Sequence, residues 1–240
     1  MECAGYCNRG GREYNEDACK AWGNGKKLYA VVADGLGGHG GGSLASKAVI
    51  ETVQQQLYVD REWKCSEQEM KELVSRANSK ILDMQTKECK MKSTLVFLYA
   101  DETTGQAKWM HIGDSRLYHF ENGRLAFCTF DHSVPRMLAH RGEISIDEIR
   151  FHEDRNRVLR ALGCHPCFDP EMGSCRLRNK VTHAFLLCTD GFWEYVPENI
   201  MEKTLQQSQS PEQWLKKMQK HLKNSVKSNH DNHSAVVVWS

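Results

Sequence analysis

Val31-Val32-Ala33-Asp34-Gly35-Leu36-Gly37-Gly38-His39-Gly40-Gly41-Gly42-Ser43 is an apolar run that ends in one carboxylate and then sheds its side chains. Leu28 to Ala33 is short, rich in β-branched residues and bounded by polar and glycine signals, which predicts a buried strand with Asp34 held at its end. The glycines beyond it let the backbone approach a ligand closely. From Ser43 the spacing of Leu44, Ala45, Ala48, Val49 and Val53 predicts a helix over 43–58 with one apolar face. A strand, a carboxylate, a glycine turn and a helix have the geometry of a site.

Two chemistries compete for it. Gly35-Leu36-Gly37-Gly38-His39-Gly40 satisfies the dinucleotide-binding fingerprint, and Asp60 stands near the offset of roughly 20 residues expected of a ribose-binding acid. Against that reading, Asp34 would place negative charge where a pyrophosphate needs amide groups and a helix N-terminus. A metal ion would welcome the same carboxylate, so the other acids of the chain decide.

Working toward the N-terminus, Gly10-Gly11-Arg12-Glu13-Tyr14-Asn15-Glu16-Asp17 is a glycine turn followed by an arginine and two adjacent acids. Ala18 to Trp22 and the turn Gly23-Asn24-Gly25 predict a hairpin with Leu28 to Ala33. Such a hairpin brings Asp17 and Asp34 onto neighbouring strands; taken alone, Glu16-Asp17 reads as a solvated turn.

Toward the C-terminus, helical spacing predicts a second helix over 66–88, and strands follow over 93–100, 107–112 and 117–120, joined by tight turns. Consecutive short strands of this kind argue an antiparallel sheet or sandwich, where a dinucleotide fold would alternate strand with helix. Gly113-Asp114-Ser115-Arg116 falls between two strands, where an Asp after Gly is ordinarily a turn former. A short helix is expected over 131–141, a polar flap over 140–157 and a helical turn over 156–162. His183 to Thr189 repeats the opening pattern, an apolar strand closed by Asp190-Gly191. Helices over 200–207 and 211–226 follow, and Asp231-Asn232 precedes a last strand over 235–239.

A chain of 240 residues supports one domain with a well-buried core, here expected to span 1–240. Its 32 basic and 31 acidic residues nearly cancel, so no global field draws it to nucleic acid or an anionic membrane. No apolar run approaches the roughly 20 residues of a membrane span, and the start lacks a signal peptide. A soluble, cytoplasmic monomer is the expectation. The ten cysteines are scattered and predict reduced, mostly buried thiols. Cys164-His165-Pro166-Cys167 has zinc-like spacing without a complete ligand set.

Arg12 with Asn15-Glu16-Asp17, Asp34-Gly35-Leu36-Gly37-Gly38-His39, Gly113-Asp114-Ser115-Arg116, Thr189-Asp190-Gly191-Phe192-Trp193 and Asp231-Asn232 together resemble the metal-dependent PPM/PP2C family of protein serine/threonine phosphatases. Each motif is common alone; five in the family's order, spread over nearly the whole chain, are specific. The resemblance implies an α+β fold, a four-layer α/β/β/α sandwich of two antiparallel sheets, with Mn²⁺ or Mg²⁺ at one end. It implies that Asp34 bridges two metals, that the Gly35 carbonyl and Glu16 serve one of them, and that Asp190 and Asp231 serve the other. Asp17 would orient metal-bound water, Asp114 with Asp190 would hold a third, weaker metal, and Arg12 would grip the substrate phosphate.

All-oxygen ligands independently favour hard cations, and two such ions would activate a bridging water for direct attack on phosphorus, with no phosphoenzyme. The chain departs from relatives at Leu36, where some carry a histidine that protonates the leaving alcohol, at Glu194 and at Lys92-Ser93-Thr94. An inactive phosphoprotein-binding module would have one of Asp34, Asp190 or Asp231 neutralised, and none is. The short form is similar to stand-alone bacterial members that oppose Hanks-type kinases, some of them in type VI secretion control. The implied partner is a phosphorylated kinase or its target.

Overall fold

The computed structural model describes residues 1–37, 40–60, 63–165 and 169–240. Its strands form two antiparallel sheets. In one, β1 (Glu2–Asn8), β7 (Arg116–Glu121), β8 (Arg124–Cys128), β10 (His183–Cys188) and β11 (His233–Trp239) run in the order β1-β11-β10-β7-β8. In the other, β2 (Asp17–Gly23), β3 (Lys27–Leu36), β5 (Leu95–Asp101), β6 (Gln106–Ile112) and β9 (Glu171–Arg176) run in the order β2-β3-β5-β6-β9, and β4 (Lys92–Ser93) pairs with β3.

The residues of β3 explain the apolar run. Leu28, Ala30 and Val32 point into a core shared by both sheets, with Val96, Leu98, Phe185, Leu187 and Val236. Tyr29, Val31 and Ala33 point the other way, into a second core under α1 (Gly41–Val59) and α2 (Glu67–Met84). A strand buried on both faces has no polar positions to alternate with. A third core lies under α4 (Asp190–Trp193), α5 (Glu198–Gln206) and α6 (Pro211–Ser225), with Trp193, Trp214 and Met218 against the first sheet. The result is the expected four-layer α/β/β/α sandwich.

Local chemistry sets the helix ends. Gly40 precedes α1 at φ +79°, a left-handed conformation that costs glycine little. Ser66 and Glu69 make a reciprocal capping box at α2, and the Ser210 hydroxyl accepts the Gln213 N–H at the start of α6.

Several expectations need correction. Asp34 does not end its strand: β3 continues to Leu36 because Gly35 and Leu36 pair with Ser93 and Lys92 of β4. The segment 156–162 is not helical; Val158 and Leu162 bridge to Ser133 and Ser93 instead. Strands β1 and β8 were not anticipated. The dinucleotide reading fails because, among the described residues, every strand pair is antiparallel and no parallel strand returns after α1. Asp60 caps the far end of that 19-residue helix, a span of roughly 28 Å. The described cysteines are unpaired, but only Cys65 and Cys188 among them are buried, and Cys7 is exposed. Gly38, His39 and Cys167 lie outside the described residues. The region expected to be a flap holds α3 (Val134–His140) up to its last residue, then a 3₁₀ helix (Asp147–Phe151). Among the described residues no helix is long and apolar enough to cross a membrane.

Candidate active site

Five chain segments converge at one end of the sheets. Asp17, the first residue of β2, is the direct cross-strand partner of Asp34 in β3, as the hairpin required. Asp190 opens α4 where β10 stops, Asp231 precedes β11, and Asp114 sits in the turn from β6 to β7. Arg12, Glu16, Asp34, Gly35, Asp114, Asp190 and Asp231 line a cavity of about 430 Å³, with Asn156 and Val158 at its rim. Asp17 is buried beside them.

Backbone contacts fix each acid. The Asp34 N–H donates to Thr94 Oγ1 at 2.8 Å, and its carbonyl accepts the Thr94 N–H at 2.8 Å and Ser93 Oγ at 3.1 Å. The unusual Lys92-Ser93-Thr94 therefore keeps the hydroxyls that hold this strand. The Glu16 N–H donates to Asn232 Oδ1 at 2.8 Å, and Glu16 Oε1 accepts the Gly42 N–H at 3.1 Å. Asn232 Nδ2 donates to the Arg9 and Tyr14 carbonyls at 2.7 and 2.9 Å, so one side chain ties the loop that carries Arg12 and Glu16 to the start of β11.

Asp17 Oδ2 accepts Thr189 Oγ1 at 2.9 Å, Asp190 Oδ1 accepts the Gly191 N–H at 2.6 Å, and Trp193 Nε1 donates to the Asp114 carbonyl at 2.9 Å. The Asp-Gly pairs have a steric cause. A Cβ on Gly35 would fall 1.9 Å from the Gly42 carbonyl oxygen, and one on Gly191 would fall 2.1 Å from that of Asn232.

The acids repel one another. Burial, then neighbouring Asp17, Asp190, Asp114 and Asp231, push Asp34 well above the usual carboxylate range. Burial and nearby acids push Asp17 and Asp114 the same way. Burial and Asp231 raise Asp190 to about 6, and burial and Asp190 raise Glu194 to about 7. Asp17 Oδ1 and Asp114 Oδ1 are buried without a hydrogen-bond partner. An all-oxygen cluster with excess negative charge and two unpartnered carboxylate oxygens fits hard divalent cations.

Arg12 is half-exposed, and its Nη2 rests on Asp231 Oδ2 at 2.7 Å, a pairing the sequence did not reveal. Reasoning from sequence also missed the structural parts played by Asn232, Thr94 and Thr189. It missed His132, whose Nδ1 accepts the Gly113 N–H at 3.1 Å and steadies the turn before Asp114. Glu194 pairs with Arg155 Nε at 3.0 Å, linking α4 to the region after the 3₁₀ helix.

The protein phosphatase 2C family model matches residues 4–231. The chain is 32% identical over 206 residues to the serine/threonine phosphatase stp of Listeria innocua, covering 81% of this chain and 78% of that one. Its fold superposes on a bacterial serine phosphatase crystal structure with a TM-score of 0.87 at 25% identity, covering 100% and 97% of the two chains. It also superposes on the catalytic domain of the serine threonine protein phosphatase PstP in complex with two manganese ions, with a TM-score of 0.81 at 25% identity, covering 99% and 97%.

Proposed function

The chain belongs to the protein phosphatase 2C family and is a metal-dependent protein serine/threonine phosphatase, and we propose that phosphoserine and phosphothreonine esters are hydrolysed in the carboxylate cleft below Arg12. Asp34, Glu16, Asp190, Asp231 and the Gly35 carbonyl would hold two Mn²⁺ or Mg²⁺ ions, and Asp114 with Asp190 a third. When bound, such ions lower the pKa of water and neutralise phosphoryl oxygens.

The residues of the chain supply the rest. Arg12, anchored on Asp231, presents its remaining guanidinium donors to phosphate oxygens, a geometry suited to bidentate contact. Asp17, clamped by Thr189, keeps Oδ1 free to orient a water. Leu36 offers no proton to the leaving alcohol, which a water held by the bound ions would supply instead.

The observation that carries this reading is the convergence of Glu16, Asp34, Asp114, Asp190 and Asp231 from distant chain positions onto one cavity. The finer substrate reading, a Hanks-type kinase or its target met in the cytoplasm by a monomeric enzyme, is supported by the motif resemblance. The test is hydrolysis of p-nitrophenyl phosphate and a phosphothreonine peptide with Mn²⁺, Mg²⁺ or EDTA, for the wild type and Asp190→Asn. Turnover that needs the metal and vanishes with the substitution is expected. A folded protein that binds Mn²⁺ yet hydrolyses neither substrate would overturn the catalytic assignment.

A further inference from the structure

Two thiols lie close to Asp17, behind the residues that line the cleft. Cys7 is in β1 and Cys19 in β2, the edge strands of the two sheets on the same side of the sandwich. The two strands pack against each other, and each thiol reaches across to the other strand beside its counterpart: Cys7 Sγ donates to the Asp17 carbonyl at 3.3 Å, and Cys19 Sγ donates to the Tyr6 carbonyl at 3.3 Å. Cys7 is exposed and Cys19 half-buried, so an oxidant meets Cys7 first.

The partners of Cys7 are also the supports of Asp17. Ser234 Oγ donates to Cys7 Sγ at 2.9 Å, while the Ser234 N–H donates to Thr189 Oγ1 at 3.0 Å, the hydroxyl that clamps Asp17 Oδ2. Asn15 Nδ2 donates to Cys7 Sγ at 3.1 Å, and Asn15 Oδ1 accepts the Asp17 N–H at 3.3 Å. A change at this sulfur therefore reaches a cleft carboxylate by two short routes.

We propose that Cys7 and Cys19 are a modification site, a thiol pair that hydrogen peroxide converts to a disulfide coupled to the cleft and that thiol reductants restore. The Cys7 sulfur attacks one peroxide oxygen, the O–O bond breaks, and Cys7 sulfenic acid forms with release of water. The Cys19 sulfur then attacks the Cys7 sulfur. The sulfenic hydroxyl leaves with the Cys19 thiol proton as a second water, so two thiols lose two electrons and the peroxide gains them. Sulfur pulled toward Cys19 gives up the Asn15 and Ser234 hydrogen bonds, and Asp17 loses its alignment.

The experiment treats the folded, reduced phosphatase with hydrogen peroxide, removes the oxidant, and follows intact mass, peptide mapping without reductant, and phosphatase turnover. We expect the mass to fall by two hydrogens, a linked Cys7–Cys19 peptide, turnover reduced by about tenfold or more as for other supports of metal-site residues, and recovery with dithiothreitol. Cys19→Ser should leave a dimedone-reactive Cys7 and no link. Absence of the linked peptide in folded, treated wild type overturns the pair. A linked peptide with unchanged turnover overturns its coupling to the cleft. The mapping stands apart from the phosphatase reading, on which only the turnover readout rests.

Discussion

Replacing Asp190 by asparagine should destroy the phosphatase and stabilise the metal-free fold. Burial and Asp231 raise this carboxyl from the ordinary 3.8 to about 6. At about 1.4 kcal/mol per tenfold change in proton affinity, the ionised form carries a penalty of about 3 kcal/mol in the folded chain. The sign follows from linkage. A raised carboxylate binds its proton more tightly in the folded state, so the penalty is absent below about pH 4, grows between about 4 and 6, and is complete at neutrality. Asparagine keeps an oxygen for the Gly191 N–H and removes the charge.

For a chain of this size, roughly 2–4 °C of melting temperature accompanies each kcal/mol, so the variant in EDTA near pH 7.5 should melt about 6–12 °C above the wild type. Near pH 4 the two should converge. Mn²⁺ at a hundredfold excess over its Kd adds about 3 kcal/mol to the protein that binds it, and should close the gap from the wild-type side. Thermal melts by calorimetry, with and without Mn²⁺ at both pH values, read all of this. A variant that is folded by circular dichroism yet melts at or below the wild type in EDTA at neutral pH would refute the idea that the cleft stores carboxylate repulsion for a cation to relieve.

Asn232→Ala removes a side chain that satisfies the Glu16 N–H and the Arg9 and Tyr14 carbonyls; losing these buried bonds should cost about 3 kcal/mol in urea unfolding, and an unchanged midpoint would contradict the anchoring role. Gly191→Ala forces a Cβ to within 2.1 Å of the Asn232 carbonyl oxygen, so the backbone must shift. A loss of at least about 2 kcal/mol together with most turnover is expected, and a variant of wild-type activity would show that the close approach is unimportant. Arg12→Ala should raise KM for p-nitrophenyl phosphate by roughly tenfold or more, the worth of a charge-assisted hydrogen bond, in steady-state kinetics; an unaltered KM would remove Arg12 from phosphate binding.

Much of this architecture is legible in the chain because its signals are local. Strand β3 announces itself by a continuous apolar run, α2 by its Ser66-Glu69 capping box, and the β2–β3 hairpin by Gly23-Asn24-Gly25, from which the pairing of Asp17 with Asp34 follows. Asp34 and Asp190 are nameable because each closes an apolar run and is followed by glycine, and Asp231 because it stands just before one. Strand β1 carries no comparable signal: Glu2–Asn8 is part exposed along its length and becomes a strand only by pairing with β11, more than 220 residues away in sequence. The segment 156–162 had enough apolar residues to suggest a helical turn, but bridges to Ser133 and Ser93 hold it extended.

The same division runs through the site. Residue type and order determined which chemistry the chain could perform, since a set of oxygen donors selects its cation by charge and hardness. Folding alone decided that Asp17 and Asp114 would each keep an oxygen unpartnered, that Arg12 would rest on Asp231, and that Asn232 would bind the loop of Glu16. These are contacts between residues distant in sequence, and their geometry comes from how two sheets pack, which no local pattern of side chains encodes.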